Sequence, residues 1–177
     1  MSELNVPTKP QGNPKRWIAL GLFLIASYAA GFVGSYATNQ GLQFWYQTLT
    51  KPSFNPPNWL FAPVWTILYA LMGVAAWQVW ERRDGPRGAA LAVFFVQLVL
   101  NAAWSWVFFA GHQLKGALWV IGALWVSIAT MIVLFSKVRK SAGAMLVPYL
   151  LWLSFAALLN YAIFRLNPVV SILPPIQ

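Results

Sequence analysis

Five stretches of this 177-residue chain, 17–36, 59–80, 89–110, 116–135 and 144–164, run for twenty residues or more without a charged side chain. At about 1.5 Å per helical residue, each is long enough to cross a hydrocarbon core of about 30 Å. Inside hydrocarbon every backbone N–H and C=O must be satisfied within the protein, so such stretches fold as helices. The chain is 59% hydrophobic and 8% charged, far too little polar surface to coat a soluble domain. The expected fold is therefore an all-α integral membrane protein, a bundle of five transmembrane helices. The connections at 81–88, 111–115 and 136–143 are short, so successive helices should be antiparallel neighbours.

Charge placement supports the same count. Lys9, Lys15, Arg16, Arg82, Arg83, Arg87, Lys137, Arg139 and Lys140 fall at one end of the bundle, nine of the twelve basic residues. Lys51, Lys115 and Arg165 fall at the other. This alternation, in register with every span, predicts a cytoplasmic N-terminus and an exterior C-terminus by the positive-inside rule. The net charge of +9 is thereby assigned to orientation and anionic lipid headgroups. No basic stripe lies on a soluble face to suit nucleic acid.

The expected organisation is a disordered cytoplasmic arm at 1–16, one five-span domain at 17–167 and a tail at 168–177. A signal peptide ending near Ser35 is the competing reading of the first span, but the apolar region is longer than such signals usually are. Residues 37–58 form the longest connection, too long and too aromatic for a tether. Its proline segment, with Pro52, Phe54, Pro56 and Pro57, forbids a helix before Asn58 and permits one after it, making a stiff lid over the second span.

Measured down from the lid end at about 1.5 Å per residue, Trp65 and Trp104 lie about 9 Å deep, Asn101 about 14 Å, Asn160 about 6 Å and Ala156 about 12 Å. Gln97, Asn101, Trp104 and Phe108 share one helix face, as do Tyr149, Trp152, Ala156 and Asn160. Facing stripes would wall an aromatic cavity beneath the lid, with Ala156 leaving room. An unpaired amide in hydrocarbon is costly, so Gln97, Asn101 and Asn160 should point inward. Whether they meet a ligand or glue helices together is open at this level, as is packing against ligand contact for Trp65, Trp104 and Trp152. Trp17, Trp59, Trp77 and Trp80 suit an interfacial belt, and His112 a solvated loop. Small residues recur at Ala26, Ala30 and Gly34 and at Ser27, Gly31 and Ser35, a pattern for close helix packing or a dimer seam.

The composition also narrows the chemistry. The chain has no cysteine, one histidine and three acidic residues, Glu3, Glu81 and Asp84. Paired carboxylates, a histidine triad and a metal cluster lack their parts, so no catalytic residue and no metal site is assigned. A coupled transporter is disfavoured, since no ionisable Asp, Glu, Lys, Arg or His lies within a span.

The segments WYQTLTKPSFNPPNWLFAPVWTILY at 45–69, NAAWSWVFF at 101–109 and PYLLWLSFAALLNYAIFRLN at 148–167 resemble the TspO/MBR family of tryptophan-rich sensory and translocator proteins, also called the peripheral-type benzodiazepine receptor family. The resemblance covers all five spans. It implies a protein, commonly dimeric, that binds protoporphyrin IX and haem and, in some members, sterols and synthetic ligands. It needs no cofactor; porphyrin or haem is the ligand. Carried over by position, Tyr46, Trp65, Trp104, Trp152 and Ala156 match pocket positions, with Asn101 in the adjoining polar motif. Leu159, Tyr161 and Arg165 fit a sterol-recognition pattern. Lys51 and Arg165 are candidates for meeting propionates at the mouth. The implied role is sensing, sequestering or translocating tetrapyrroles in a bacterial cell membrane. Light- or oxygen-dependent porphyrin degradation through Trp65 and Trp152 is the alternative. Two positions depart from the family pattern: Phe54 stands where tryptophan is common, and Trp106 where proline is common, which should remove a kink and add bulk near the cavity mouth.

Overall fold

A computed structural model of the chain describes residues 14–83 and 85–168. Most of the arm, Asp84 and all of the tail beyond Pro168 lie outside the described residues. Helix α1 covers Pro14–Leu42, a single turn α2 Trp45–Thr48, α3 Phe61–Glu81, α4 Arg87–Ser105, α5 Leu114–Val138, a short α6 Lys140–Ala144 and α7 Val147–Leu166. A 3₁₀ turn at Asn58–Leu60 leads into α3, and a π-helical turn at Trp106–Ala110 ends α4. Five of these helices are long and apolar enough to cross a membrane, and the described residues contain no strand.

Proline sets several starts. Pro14 is the first residue of α1, Pro63 lies in the first turn of α3 and Pro148 in the first turn of α7, where a missing N–H removes no intrahelical bond. Lys15 and Arg16, expected in the arm, are therefore helical. Arg16 pairs with Glu81 at the end of α3, and its guanidinium lies 4.9 Å from the Trp77 ring centroid. Trp77, expected in the interfacial belt, is instead buried and donates its indole N–H to the Arg16 carbonyl at 3.1 Å. Trp17 and Trp59 are well exposed.

At its other end α1 outruns the expected span by six residues, to Leu42. The cause is packing. Ala37 is fully buried, and a Cβ on Gly41 would collide with the Phe109 carbonyl, so the helix lies directly on the end of α4. The connection that remains is correspondingly shorter than 37–58.

Helix α1 packs on α3 and α4, α4 on α5, and α5 on α7. Two of the small residues of α1 serve this internal packing, Gly31 against the Tyr69 ring and Gly34 against Ser105, whereas Ser35 is exposed. Helices α3 and α7 face each other through aromatic side chains. Away from the lid the interior is filled by Met72, Phe94, Ile128, Met131 and Phe135 among others. Nearer the lid a second cluster gathers Tyr46, Leu49, Phe108, Phe109, Leu159 and Ile163. The space between these two clusters is the site.

Candidate functional site: an aromatic cavity beneath the lid

The cavity has a volume of about 660 Å³ and is walled by α1, α3, α4, α5 and α7. Tyr46, Trp65, Asn101, Trp104, Trp152 and Ala156 all line it. The helical repeat explains how α3 supplies its wall, since Phe61, Trp65 and Tyr69 are four residues apart and share a face. Trp65 stacks on Tyr69 with centroids 5.5 Å apart and meets the edge of Tyr149 at 5.9 Å. On α4, Trp104 stacks on Phe108 at 5.2 Å. On α7, Trp152 meets the edge of Phe61 at 5.7 Å, which closes the gap between α3 and α7.

The amides form connected polar chains. The Tyr69 hydroxyl donates to Asn101 Oδ1 at 2.7 Å, Asn101 Nδ2 donates to the Tyr149 hydroxyl at 2.8 Å, and that hydroxyl donates to Gln97 Oε1 at 3.4 Å. One asparagine thus joins α3, α4 and α7 at the cavity floor. Asn160 does similar work higher up, accepting from Trp104 Nε1 at 3.2 Å and donating to the Leu114 carbonyl at 3.2 Å. The two facing stripes therefore touch through these bonds, and the asparagines both hold helices together and border the cavity. Among the described residues three buried polar side-chain atoms have no partner, Gln97 Nε2, Trp152 Nε1 and Ser127 Oγ.

The lid is pinned at its start and anchored at its tip. Asn167, just beyond α7, accepts from the Thr50 amide at 2.9 Å and donates to the Thr50 carbonyl at 2.9 Å and the Ile163 carbonyl at 2.8 Å. Its side chain pairs with the Thr50 backbone as a neighbouring strand would. Tyr46, buried under the lid, donates to Asn55 Oδ1 at 3.0 Å, and burial raises its phenol above the ordinary pKa, keeping it a donor. Phe54 packs edge-on against Phe155 at 6.3 Å. Pro52, Phe54, Pro56 and Pro57 shape the lid without lining the cavity; Asn58 is the first residue after the prolines to reach it.

Other candidates are placed apart from the cavity. Of the sterol pattern, Leu159 is buried and lines the cavity, whereas Tyr161 and Arg165 lie exposed on the opposite face of α7, bonded to each other at 3.3 Å. Two residues along a helix turn roughly 200°, so the three side chains cannot share one surface. Lys51 sits 4.7 Å from the Tyr46 ring centroid and donates to the Leu49 carbonyl, outside the lining set. Trp106 corrects both expectations attached to it. Its ring lies outward against Tyr36 at 6.1 Å, and the helix deviates there without proline, as a π-helical turn closed by Gly111 N–H to the Trp106 carbonyl at 2.7 Å. His112 lies in the loop, half-buried, with one face stacked on Trp45 at 4.5 Å, and desolvation holds its imidazole below the usual pKa.

The sequence pattern sets Tyr69 at helical spacing from Trp65 but does not assign Tyr69, Phe61 or Asn167 to the site. Tyr69 and Phe61 each lie four residues from Trp65, and that spacing is the signal that would have found them. Asn167 bonds to a residue 117 positions away, which no local pattern discloses. Among the described residues no group of three His, Cys, Asp or Glu side chains could hold a metal ion.

Comparison with known proteins places this arrangement. The sequence pattern of the TspO/MBR family matches residues 23–166. The Tryptophan-rich protein TspO of Chlorobaculum tepidum is 42% identical over 158 residues, covering 87% of this chain and 99% of that protein. The Translocator protein of Homo sapiens is 37% identical over 155 residues, covering 85% and 91%, and the Tryptophan-rich sensory protein of Cereibacter sphaeroides is 41% identical over 123 residues, covering 70% and 77%. With its five membrane-crossing helices and its tryptophan-lined cavity, the chain belongs to the TspO/MBR family of membrane translocator and sensory proteins.

Proposed function

We propose that this protein binds a porphyrin in the cavity and acts in sensing, sequestering or moving tetrapyrroles across or within the membrane. The observation that carries the reading is the chemistry of the walls: indole, phenol and phenyl faces surround a space of about 660 Å³, with amides and phenols at its edges. That volume falls in the usual ligand-pocket range of about 300–1,000 Å³, and flat apolar rings gain by stacking on such faces. The lining offers no imidazole, thiolate or thioether, the groups that most often ligate haem iron, so binding by ring faces favours the macrocycle over an axial metal bond. The unpartnered Trp152 N–H would suit an acceptor on the ligand. Sterol binding has less support, because Tyr161 and Arg165 are turned away from the cavity.

Titrating purified protein with protoporphyrin IX should quench tryptophan fluorescence. Trp65→Phe and Trp152→Phe should each weaken binding roughly two- to tenfold, the size of an aromatic pair contact. Unchanged affinity in both variants would sink the pocket assignment. The nine-to-three distribution of basic residues favours a lid facing the exterior; accessibility of a cysteine introduced at Ser53 to an impermeant reagent on intact cells tests it, and labelling only after lysis would reverse the orientation.

A second reading is oxidation of the bound porphyrin under light and oxygen. It is favoured by the run of oxidisable rings Trp65, Tyr69 and Tyr149, in contact at 5.5 and 5.9 Å around one end of the cavity. Absorbance of the complex under illumination separates the two, since conversion that disappears in Trp65→Phe indicates chemistry and a constant spectrum indicates binding alone.

A further inference from the structure

We infer that the cavity opens sideways into the membrane, between α1 and α3, and that its ligand arrives from the lid-side leaflet rather than from water past the lid. The inference rests on the cavity being a ligand site, not on which ligand fills it.

The lining residues divide by exposure. Tyr28, Phe32 and Ser35 on α1, Asn58 in the 3₁₀ turn before α3, and Ala62 and Thr66 at the start of α3 are all exposed. Every lining residue from α4, its π-helical turn, α5 and α7 is buried or half-buried. The spacings, i, i+4, i+7 on α1 and i, i+4, i+8 on α3, place each trio along one helix edge. The two edges flank a slot running from the interface at Asn58 to Thr66, about 12 Å at 1.5 Å per residue. Gly31 marks the deep end of the slot, where α1 lies directly on the Tyr69 ring and the Tyr28 hydroxyl reaches the Thr66 carbonyl, so the opening lies above them, towards Asn58.

The rim is built for hydrocarbon. Four hydroxyls lie along it, and each donates to a backbone carbonyl: Ser35 to Phe32 at 3.0 Å, Thr38 to Gly34 at 3.0 Å, Thr66 to Ala62 at 2.8 Å, and Tyr28 across the slot to Thr66 at 3.0 Å. A hydroxyl facing lipid without a partner would be costly, and here none is left with its hydrogen free. The lid, in contrast, is fastened by Asn167, Asn55 and Phe54, with Tyr46 and Leu49 buried beneath it. The ligand class this selects is a flat, largely apolar molecule dissolved in the bilayer, able to pass edgewise between two helices.

The absence of cysteine makes a direct test available. Ala156→Cys places a thiol on the far wall, and Ser53→Cys places one on the exposed lid as a reference. In phosphatidylcholine vesicles, pyrene maleimide dissolves in the bilayer while a charged methanethiosulfonate stays in water. Relative to the lid reference, Ala156→Cys should react about tenfold faster with the membrane-dissolved reagent than with the charged one. Adding Ser35→Trp, which fills the lipid-facing rim and leaves internal packing alone, should slow pyrene labelling about tenfold, and Ala62→Trp on the facing, exposed edge should do the same. Adding Asn167→Ala, which loosens the lid, should leave it unchanged. The inference is overturned if both rim variants label at the parent rate with helix content intact. Faster labelling by the charged reagent in Asn167→Ala would also overturn it. So would pyrene labelling that falls as protein density in the bilayer rises, since a second copy would then cover the slot. No porphyrin takes part, so failure of porphyrin binding and failure of this route are separate results.

Discussion

Removing the Asn167 side chain should open the lid without unfolding the bundle. Asn167→Ala deletes two hydrogen bonds to the Thr50 backbone, at 2.9 Å each, and one to the Ile163 carbonyl at 2.8 Å. The Ile163 bond lies within the end of α7, so of these three only the two Thr50 bonds tie α7 to the lid. At about 0.5–1.5 kcal/mol net per bond, their loss costs about 1–3 kcal/mol of lid docking, a shift of roughly 5- to 150-fold toward the open form. Amide hydrogen exchange followed by mass spectrometry in lipid nanodiscs reads this directly, because exchange of a locally opening segment tracks its opening equilibrium. Residues 49–58 should exchange faster by that factor while α5 stays protected. Asn167→Asp retains an acceptor for the Thr50 amide and sets a carboxylate against the Thr50 carbonyl, so it should fall no closer to the parent than the alanine variant. Unchanged protection at 49–58 would refute the pinning role, and equal loss in α5 would show that Asn167 supports the whole bundle.

The polar chain at the cavity floor gives a contrasting pair. Asn101→Leu strands the Tyr69 hydroxyl and takes from the Tyr149 hydroxyl the bond it accepts, and should lower the thermal midpoint in detergent by an amount equal to about 1–3 kcal/mol. Gln97→Leu removes a long 3.4 Å bond from the Tyr149 hydroxyl together with an unpartnered amide nitrogen, so it should cost less than Asn101→Leu; a larger loss would contradict the assigned bonding. Two glycines make a second pair. Gly41→Ala drives a Cβ into the Phe109 backbone and should cost about 1–3 kcal/mol, read as a lower unfolding midpoint. Gly122→Ala meets nothing within 4 Å and should raise stability by up to about 1 kcal/mol through helix propensity.

Much of the fold is legible because the bilayer leaves few choices. A charge-free run of twenty residues has one available structure in hydrocarbon, and basic residues mark its ends, so spans and register follow from simple patterns. The stripes on α4 and α7 are legible for the same reason, since an amide such as Asn101 must turn inward and carries its helix face with it. What stays hidden depends on contacts between distant residues. Nothing near Ala37 or Gly41 says that α1 continues, because the support comes from Phe109. The outward turn of Trp106 follows from the π-helical register, and the bond from Asn167 to Thr50 from where two separate chain segments finish. Trp77 looks like a belt residue until Arg16 folds over it.

The π-helical turn at Trp106–Ala110 has a consequence for how this chain can change length. A π turn accommodates one residue more than an α turn, at little cost to the helix before it. Here the surplus lets two consecutive rings, Phe108 and Phe109, both face the protein interior, at 2% and 9% exposure. The turn is thus equivalent to a single-codon insertion absorbed at the rim of the cavity. Deleting one residue there would return α4 to regular geometry and swing one of the two rings outward, enlarging the cavity roof while leaving the floor at Asn101 where it is. The size of the cavity in such a protein can therefore be retuned by gain or loss of one residue at this turn, with no substitution in the walls.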